Sequence, residues 1–97
     1  MLEKDIERRM CNAFRAKGAM PLKMEAIVAG LPDRLVVLPG GRVVWVELKT
    51  ETGRLRPVQE IMIRRLRSMG HTVFVPHGLE EALAVVEEVM PDEVHPE

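Results

Sequence analysis

Apolar residues at the start of the chain recur at the spacing of a helix face. They are Leu2, Ile6, Met10, Ala13 and Phe14. Residues three or four positions apart lie above one another on an α-helix, so these side chains share one side of it. Glycine commonly follows the last helical residue, and Gly18 is placed to do so. The pattern predicts an amphipathic helix that ends near Gly18.

Two β-branched runs in the middle of the chain predict a hairpin. They cover residues 34–38 and 42–49, and Pro39-Gly40-Gly41 separates them. Glycine-rich turns between such runs join antiparallel strands. Residues 22–28 lie between two breaks rich in Gly and Pro and are a weaker strand candidate. This part of the chain is therefore predicted to contain three strands.

A second amphipathic helix is predicted between Pro57 and Gly70, because proline is favoured at the first helical position and glycine follows many helix ends. Residues 72–75 then form a short apolar run bounded by Gly70 and Pro76. Such a run is typical of a buried strand that pairs in parallel after a helical crossover. The predicted inward face of the helix consists of Val58, Ile61, Met62, Leu66 and Met69.

The last predicted element is a helix over residues 79–89. Its predicted inward side chains are Leu79, Leu83, Val86 and Met90. The element order is then α-β-β-β-α-β-α, which indicates an α/β fold with a mixed sheet flanked by helices. Because 97 residues cannot form two cores of adequate size, one domain is predicted over residues 1–90. Residues 91–97 are predicted to be an acidic, disordered tail.

Charge is distributed unevenly along the chain. The net charge is −1, yet residues 1–78 hold all 14 Lys and Arg residues and only 8 of the 15 acidic ones. A basic body suits a polyanionic partner, although an ordinary solvated surface explains it equally well. Cys11 is the only cysteine, which excludes an internal disulfide and fits a cytoplasmic location. No apolar run approaches the ~20 residues of a membrane-spanning helix.

Glu47 and Lys49 carry the first indication of chemistry. They stand two positions apart in a predicted strand, so their side chains emerge on the same face. A strand between helical layers should be apolar on both faces, and a buried carboxylate and ammonium are costly unless they pair or bind a ligand. An exposed Glu/Lys pair on a strand that has left the core is the alternative explanation.

Asp33 joins this pair only if the hairpin has the right register. A two-residue turn would direct Asp33 and Glu47 to opposite faces, because a shift of one residue inverts a strand. A three-residue turn over Pro39-Gly40-Gly41 instead pairs Leu38 with Arg42 and Asp33 with Glu47. We predict the three-residue turn, with a glycine in the left-handed conformation.

Two carboxylates on adjacent strands suit a hard divalent cation such as Mg²⁺ or Mn²⁺. Such an ion can polarise a phosphate oxygen and lower the pKa of a bound water. Lys49 would orient that water or stabilise the charge that develops on the phosphate. Asp33, Glu47 and Lys49 together therefore predict a phosphodiesterase site.

The same residues resemble the motif of the PD-(D/E)XK nuclease superfamily, in which Pro32-Asp33 precedes Glu47-Leu48-Lys49 by about a dozen residues. The wider string is similar to the VRR-NUC (virus-type replication-repair nuclease) family in its minimal, stand-alone form. It comprises Gly-Leu-Pro-Asp-Arg-Leu at 30–35, the Pro-Gly-Gly turn, Val-Glu-Leu-Lys-Thr at 46–50, Gly53, Gln59 and the strand at 70–75. The resemblance covers residues 3 to 87 and implies a restriction-endonuclease-like core.

The resemblance implies a role for each residue of the site. Asp33 and Glu47 would ligate the metal, the backbone carbonyl of Leu48 would join them, and Lys49 would act at the nucleophile. Gln59 matches the glutamine that follows the Glu-x-Lys strand in this family and would hydrogen-bond the active-site groups. A polar residue in the first turn of a helix is the structural alternative for Gln59.

The family pattern also has a glutamate on the first helix that reaches the metal. Glu3 and Glu7 are both candidates here, since the motif order favours Glu3 whereas Glu7 lies one turn deeper in the helix. Lys23 falls where similar sequences carry a lysine before the Pro-Asp segment, and a contact with the DNA backbone is one possibility for it.

An arginine cluster lies in and just before the second predicted helix and would bind DNA phosphates without regard to the base sequence. It consists of Arg54, Arg56, Arg64, Arg65 and Arg67. Arg65 could instead lay its stem across the core. Trp45 shares a strand face with Glu47, so it either walls the site or packs in the core. The histidines, His71, His77 and His95, lack metal-ligand spacing and are interpreted as strand-edge, loop and tail residues.

The resemblance implies a divalent-metal-dependent DNA endonuclease in the cytoplasm of a bacterial or phage-infected cell. Stand-alone members are similar in size and core to archaeal Holliday junction resolvases, so a symmetric homodimer acting on branched DNA is expected. Ile63 lies off the predicted inward face and would add apolar area to a dimer interface. A flap or unselective nuclease, and a DNA-binding module with an idle site, are the alternatives.

Overall fold

The computed structural model describes residues 1–25 and 27–90, which form three helices and four strands. In chain order these are α1 (Glu3–Ala16), β1 (Met20–Lys23), β2 (Arg34–Leu38), β3 (Arg42–Val46), α2 (Pro57–Ser68), β4 (Val73–Phe74) and α3 (Gly78–Val89). This order confirms the predicted α-β-β-β-α-β-α arrangement. The predicted tail at 91–97, with His95, lies outside the described residues. No helix in the described ranges is long and apolar enough to cross a membrane.

The four strands form one mixed sheet in the order β1-β2-β3-β4. β1, β2 and β3 pair antiparallel, and β4 pairs in parallel with β3. The parallel pair needs a crossover connection, and α2 provides it. Both the predicted hairpin and the predicted parallel strand are therefore confirmed.

Each face of the sheet has its own apolar cluster. Val36, Leu38, Val44 and Val46 point towards α1 and α3, where they join a cluster that includes Phe14. The opposite face carries a smaller cluster formed by Ile63, Leu66 and Val73, against which Trp45 packs. α1 and α3 therefore cover one face, and α2 covers part of the other. Glu47 belongs to the α2 face, because strand residues alternate and it stands two positions after Trp45.

The strand boundaries differ from the predicted ones. β1 covers Met20–Lys23 instead of residues 22–28, because it extends only where it pairs with β2, from Met20 opposite Val37 to Lys23 opposite Arg34. The chain then leaves the sheet, and Ile27 is 84% exposed. β3 ends at Val46, and β4 is reduced to two residues. The pairing partner sets these lengths, and residue propensity does not reveal it.

The helical faces agree with prediction to different degrees. In α1, Ile6, Met10 and Phe14 are buried as predicted, whereas Leu2 lies before the helix and is exposed. In α3 the buried apolar residues are Ala82, Val85, Val86 and Val89, while Leu79, Leu83 and Met90 are only half-buried. The smaller side chains of α3 therefore face the core, because α3 packs closely against α1.

The predicted inward face of α2 was correct for Leu66 and wrong for Ile61 and Met69. Ile63 is 2% exposed and packs in the core, so it cannot contribute to a dimer interface as the sequence had suggested. Ile61 and Met69 are instead 58% and 62% exposed. Three consecutive apolar residues, 61–63, fit either of two neighbouring faces. The packing of α2 over Trp45 decides between them.

Gly30 lets the segment before Asp33 lie directly against α2. Its φ is +86°, a conformation that side-chain-bearing residues rarely adopt. A Cβ atom at this position would lie 2.4 Å from the carbonyl oxygen of Val58 in the first turn of α2. The glycine therefore brings the segment that carries Asp33 next to the helix turn that carries Gln59.

Candidate active site

The β2–β3 hairpin places Asp33 opposite Glu47. Leu38 pairs with Arg42 and Arg34 pairs with Val46, which leaves the three residues 39–41 as the turn. Continuing this register by one pair brings Asp33 across from Glu47. Gly40 and Gly41 have φ angles of +83° and +79°, which only glycine adopts readily. The predicted three-residue turn is therefore confirmed, and with it the shared face of the two carboxylates.

The Glu47 carboxylate is the centre of a buried hydrogen-bond network. Its side chain is almost fully enclosed, with the residue 3% exposed. Oε1 accepts a hydrogen bond of 3.1 Å from the backbone N–H of Asp33, and Oε2 accepts one of 3.1 Å from Gln59 Nε2. The ammonium of Lys49 lies 3.5 Å from the same Oε2. The carboxylate is thus oriented from three sides.

Gln59 links this network to the start of α2. Its Oε1 accepts the backbone N–H of Arg56 at 2.8 Å, so its amide group must turn the NH₂ towards Glu47. Gln59 is 6% exposed, which is unusual for a polar residue unless its hydrogen bonds are satisfied. The two contacts explain why a glutamine takes an inward position in the first turn of α2.

The backbone beyond β3 continues to bond as a strand along β4 and the residues after it. Glu47 donates its N–H to Phe74 at 2.9 Å, and Lys49 donates to Pro76 at 3.0 Å. Backbone groups of successive residues in an extended chain point to opposite edges, so the Leu48 carbonyl points away from β4 and towards β2. Asp33 lies on that side, while the Leu48 side chain is buried in the core of the other face.

Electrostatics oppose ionisation of Glu47. Burial is the main cause that raises the pKa of the Glu47 carboxyl above its ordinary value, and the nearby Asp33 carboxylate raises it further. The Lys49 ammonium and the hydrogen bond from the Asp33 N–H act in the opposite direction without cancelling the effect. A bound cation would reduce the repulsion between these two carboxylates, which are held together in a poorly solvated place.

The donor set fits a hard divalent cation. Among the described residues, no group of three or more His, Cys, Asp or Glu side chains is placed to hold a metal. Mg²⁺ in proteins is commonly held by one or two carboxylates and keeps several waters. Asp33 and Glu47 supply two carboxylates, and the Leu48 carbonyl stays a predicted third oxygen. These oxygen ligands suit Mg²⁺ or Mn²⁺ better than a thiolate-seeking metal.

Comparison with known proteins identifies this arrangement. The family model described as the VRR-NUC domain matches residues 3–80. The chain belongs to the VRR-NUC family. It is therefore a nuclease, and a nuclease domain implies a DNA substrate. The resemblance found in the sequence is confirmed, and PD-(D/E)XK-type nucleases generally use divalent metals.

Two relatives support the assignment of this VRR-NUC chain. It is 35% identical over 74 residues to "Putative nuclease p44" of Acyrthosiphon pisum secondary endosymbiont phage 1, a match covering 75% of this chain and 80% of the relative. A solved structure described as a VRR-NUC domain superimposes with a TM-score of 0.81 at 30% sequence identity. That superposition covers 88% of this chain and 94% of the other, and it confirms the α/β fold.

The first-helix glutamates of this VRR-NUC chain are not grouped with the two carboxylates. Glu3 is exposed at the start of α1. Glu7 is half-buried on the opposite face of the sheet, where Arg34 Nε donates to its Oε2 at 2.9 Å. Lys23 lies 3.6 Å from the same oxygen. In this arrangement Glu7 neutralises two cations, and metal ligation by Glu3 or Glu7 stays a prediction.

The predicted DNA-contacting arginines of the VRR-NUC chain lie at or before α2. Arg54, Arg56 and Arg64 are exposed, and so is Arg65, which does not lie across the core. Arg67 differs from them, because its Nη2 donates to the Val73 carbonyl at 2.6 Å. It ties α2 to β4. The basic surface therefore lies on the side of the sheet that carries Asp33, Glu47 and Gln59.

Trp45 takes the core-packing role that was one of its two predicted alternatives, whereas the sequence did not reveal the surroundings of His77. Trp45 is half-buried and packs with Ile63 and Leu66, so it supports α2. Among the described residues its Nε1 has no hydrogen-bond partner. His77 was interpreted as a loop residue, yet its Nδ1 lies 3.3 Å from the Thr50 carbonyl oxygen. No local pattern indicates that contact, because the two residues are 27 positions apart.

Proposed function

We propose that this nuclease is a divalent-metal-dependent endonuclease that hydrolyses phosphodiester bonds in branched DNA, such as Holliday junctions. The supporting observation is the convergence of Asp33 and Glu47 at the end of the hairpin, with Lys49 Nζ 3.5 Å from a Glu47 oxygen. Two carboxylates and an ammonium at one point are the groups that phosphodiester hydrolysis requires.

Asp33 and Glu47 would hold the ion, and the Leu48 carbonyl would join them. When bound, Mg²⁺ or Mn²⁺ would polarise a phosphate oxygen and lower the pKa of a water molecule. The protein contributes orientation, since the Asp33 N–H and the Gln59 amide fix both Glu47 oxygens. A carboxylate held in this way has no rotational freedom left to lose when the substrate binds.

Lys49 would act on the reacting phosphate. Its side chain is 15% exposed, so its ammonium is partly shielded from water while remaining accessible from the site. A positive charge is worth more in such a poorly solvated position than on the surface. We assign Lys49 to orienting the attacking water or stabilising the charge that develops on the phosphate oxygens.

The basic surface supports DNA as the substrate. Arg54, Arg56 and Arg64 are exposed, and cationic side chains of this kind bind phosphates without reading the base sequence. Binding through them should weaken steeply as salt concentration rises. This property suits an enzyme that selects DNA by shape.

An open apolar face supports a homodimer. Met20 of β1 and Val43 of β3 both pair with Val37 of β2, on the sheet face opposite α1 and α3. Met20 is 55% exposed and Val43 is 41% exposed. α2 packs over Trp45 and leaves this part of the sheet uncovered. Contiguous exposed apolar surface is typical of protein contact sites. A two-fold dimer would present two nuclease sites, one for each of two strands in a junction.

Replacement of Val43 by glutamate tests the dimer. A symmetric interface would bury two unpaired carboxylates, and each costs ~3 kcal/mol or more, so the dimer should weaken by roughly 10⁴-fold or more. Sedimentation velocity should then show monomers, and junctions should receive single nicks instead of paired ones. The control is Leu2→Glu, which changes a residue 63% exposed near α1. A wild-type monomer that makes paired nicks would contradict the dimer.

Cleavage assays test the proposed function itself. Labelled four-way junctions, flaps and linear duplexes are incubated with Mg²⁺ or Mn²⁺ and with either the natural protein or Lys49→Ala. We expect metal-dependent cutting of the junction, removed by EDTA and by the substitution. Equal cutting of all three substrates would indicate an unselective nuclease, and preferred cutting of flaps a flap nuclease. Tight DNA binding without any cutting would indicate an idle module.

A further inference from the structure

The segment that joins β4 to α3 lies directly beside Lys49. The carbonyl of Pro76 accepts the N–H of Lys49 at 3.0 Å, and the N–H of Gly78 donates to the Lys49 carbonyl at 2.8 Å. Both backbone groups of Lys49 are therefore bound by the two neighbours of His77. Lys49 and His77 form an isolated parallel bridge.

The His77 side chain adds a contact that this backbone pairing does not require. Its Nδ1 lies 3.3 Å from the carbonyl oxygen of Thr50. A backbone carbonyl can only accept a hydrogen bond, so Nδ1 must carry the proton and donate it. The same carbonyl also accepts the N–H of Gly53 at 3.1 Å, which closes the turn that follows Lys49. The imidazole therefore braces this turn.

His77 is itself held by a stable element. Its backbone N–H donates to Glu81 Oε1 at 2.8 Å, and Glu81 lies in the first turn of α3. α3 in turn packs its apolar residues into the larger core cluster. The imidazole thus connects the turn after Lys49 to a helix that the core fixes in place.

We propose that His77 is a positioning residue for Lys49. By holding the Thr50 carbonyl, it fixes the segment that carries the Lys49 ammonium next to Glu47. The inference rests on the proposed role of Lys49 in the reaction. Small displacements of a catalytic group mainly slow the chemical step. Loss of the imidazole contact should therefore lower kcat and leave KM for DNA unchanged, because the exposed arginines are untouched.

Two substitutions at this position separate the hydrogen bond from the bulk of the ring. In His77→Asn, Nδ2 stands as many bonds from Cβ as Nδ1 does, so a donor to Thr50 is retained. His77→Leu keeps comparable volume and removes the donor. We expect kcat to fall by about 10- to 100-fold in His77→Leu, with KM unchanged, and to stay near the natural value in His77→Asn. His71→Leu, at an exposed position before β4, is the matched control and should leave both constants unchanged.

A second readout needs neither metal nor activity. Amide hydrogen exchange in the metal-free protein should accelerate at Lys49 and Gly53 in His77→Leu, remain slow in His77→Asn, and stay unchanged at buried Val36 in both. Unchanged exchange at Lys49 and Gly53 in His77→Leu would overturn the proposal. So would a rise in KM with kcat retained, or an asparagine variant as slow as the leucine one. If the natural protein cut no DNA, the proposed function would fail, and the exchange measurement would still decide whether His77 holds this turn.

Discussion

Replacing Lys49 with methionine should lower the rate of DNA cleavage by about 10²–10³-fold, the usual cost of removing one group that stabilises transition-state charge. Methionine retains most of the apolar stem of lysine, so the partly buried position of the Lys49 side chain stays filled. The ammonium 3.5 Å from Glu47 Oε2 is what disappears. Single-turnover cleavage of a labelled junction measures the effect, and DNA binding should persist because the exposed arginines remain.

Stability measurements show whether such a loss arises from the chemistry or from unfolding. Lys49 lowers the pKa of Glu47, so in the variant that pKa, already raised by burial, should rise further. When the pKa of a carboxyl is higher in the folded than in the unfolded state, the free energy of unfolding of the protein decreases as the pH rises from the unfolded-state pKa through the folded-state pKa. The Tm of Lys49→Met should therefore fall more than that of the natural protein between pH 4 and pH 8. Lys4→Met, on the exposed side of α1, is the control. Full cleavage by folded Lys49→Met would remove Lys49 from the proposed site.

Asp33→Asn should abolish metal-dependent cleavage and at the same time stabilise the metal-free protein at neutral pH. The backbone N–H that binds Glu47 is unchanged, whereas the charge that repels the Glu47 carboxylate is lost. The pKa of Glu47 should fall towards its ordinary value, which reduces the cost of ionising it in the folded state. Relief of such repulsion at a functional site is worth about 0.5–2 kcal/mol.

The gain in stability of Asp33→Asn should depend on pH. The gain should be fully present above the folded pKa of Glu47 in the natural protein, and it should vanish at pH values well below the ordinary pKa of glutamate. There Glu47 is protonated in both the folded and the unfolded state. Urea unfolding in EDTA at pH 8 and at low pH measures the difference. Asp5→Asn, which alters a half-exposed carboxylate paired with Arg8, should change stability by less than ~0.5 kcal/mol at either pH.

Added metal should reverse the order of stability. An ion that binds only the folded natural protein stabilises it by ~2.7 kcal/mol at 100 times its Kd, whereas Asp33→Asn has lost one of the two carboxylates. Thermal unfolding with and without Mg²⁺, in the absence of DNA, measures this shift. An equal Mg²⁺ shift in both proteins would show that Asp33 does not hold the ion.

The hairpin shows how much of the site short-range sequence features can determine. The three residues 39–41 fix the turn length, the turn length fixes the register, and the register brings Asp33 opposite Glu47. The period of two along a strand then places Lys49 on the same face as Glu47. These steps use only local geometry, and the structure agrees with all of them. The pairing of Gln59 with Glu47 was expected only from the family resemblance, since nothing local indicates it.

The faces of α2 show where local features fail. Apolar residues at 61, 62 and 63 permit two rotations of the helix that differ by about one residue. The sequence favoured the rotation that buries Ile61 and Met69, whereas packing over Trp45 and the bond from Gln59 to Glu47 select the one that buries Ile63. The same rotation directs Ile61 towards solvent.

Sequence by itself determined the order of elements, the hairpin register and the shared face of Asp33, Glu47 and Lys49, because turn length and strand period act over a few residues. Tertiary structure alone decided that Glu7 is paired with Arg34 on the other face and that His77 braces the turn after Lys49. Each of those contacts joins residues 27 positions apart. Such pairs meet only after the sheet and helices have packed, so no local pattern encodes them.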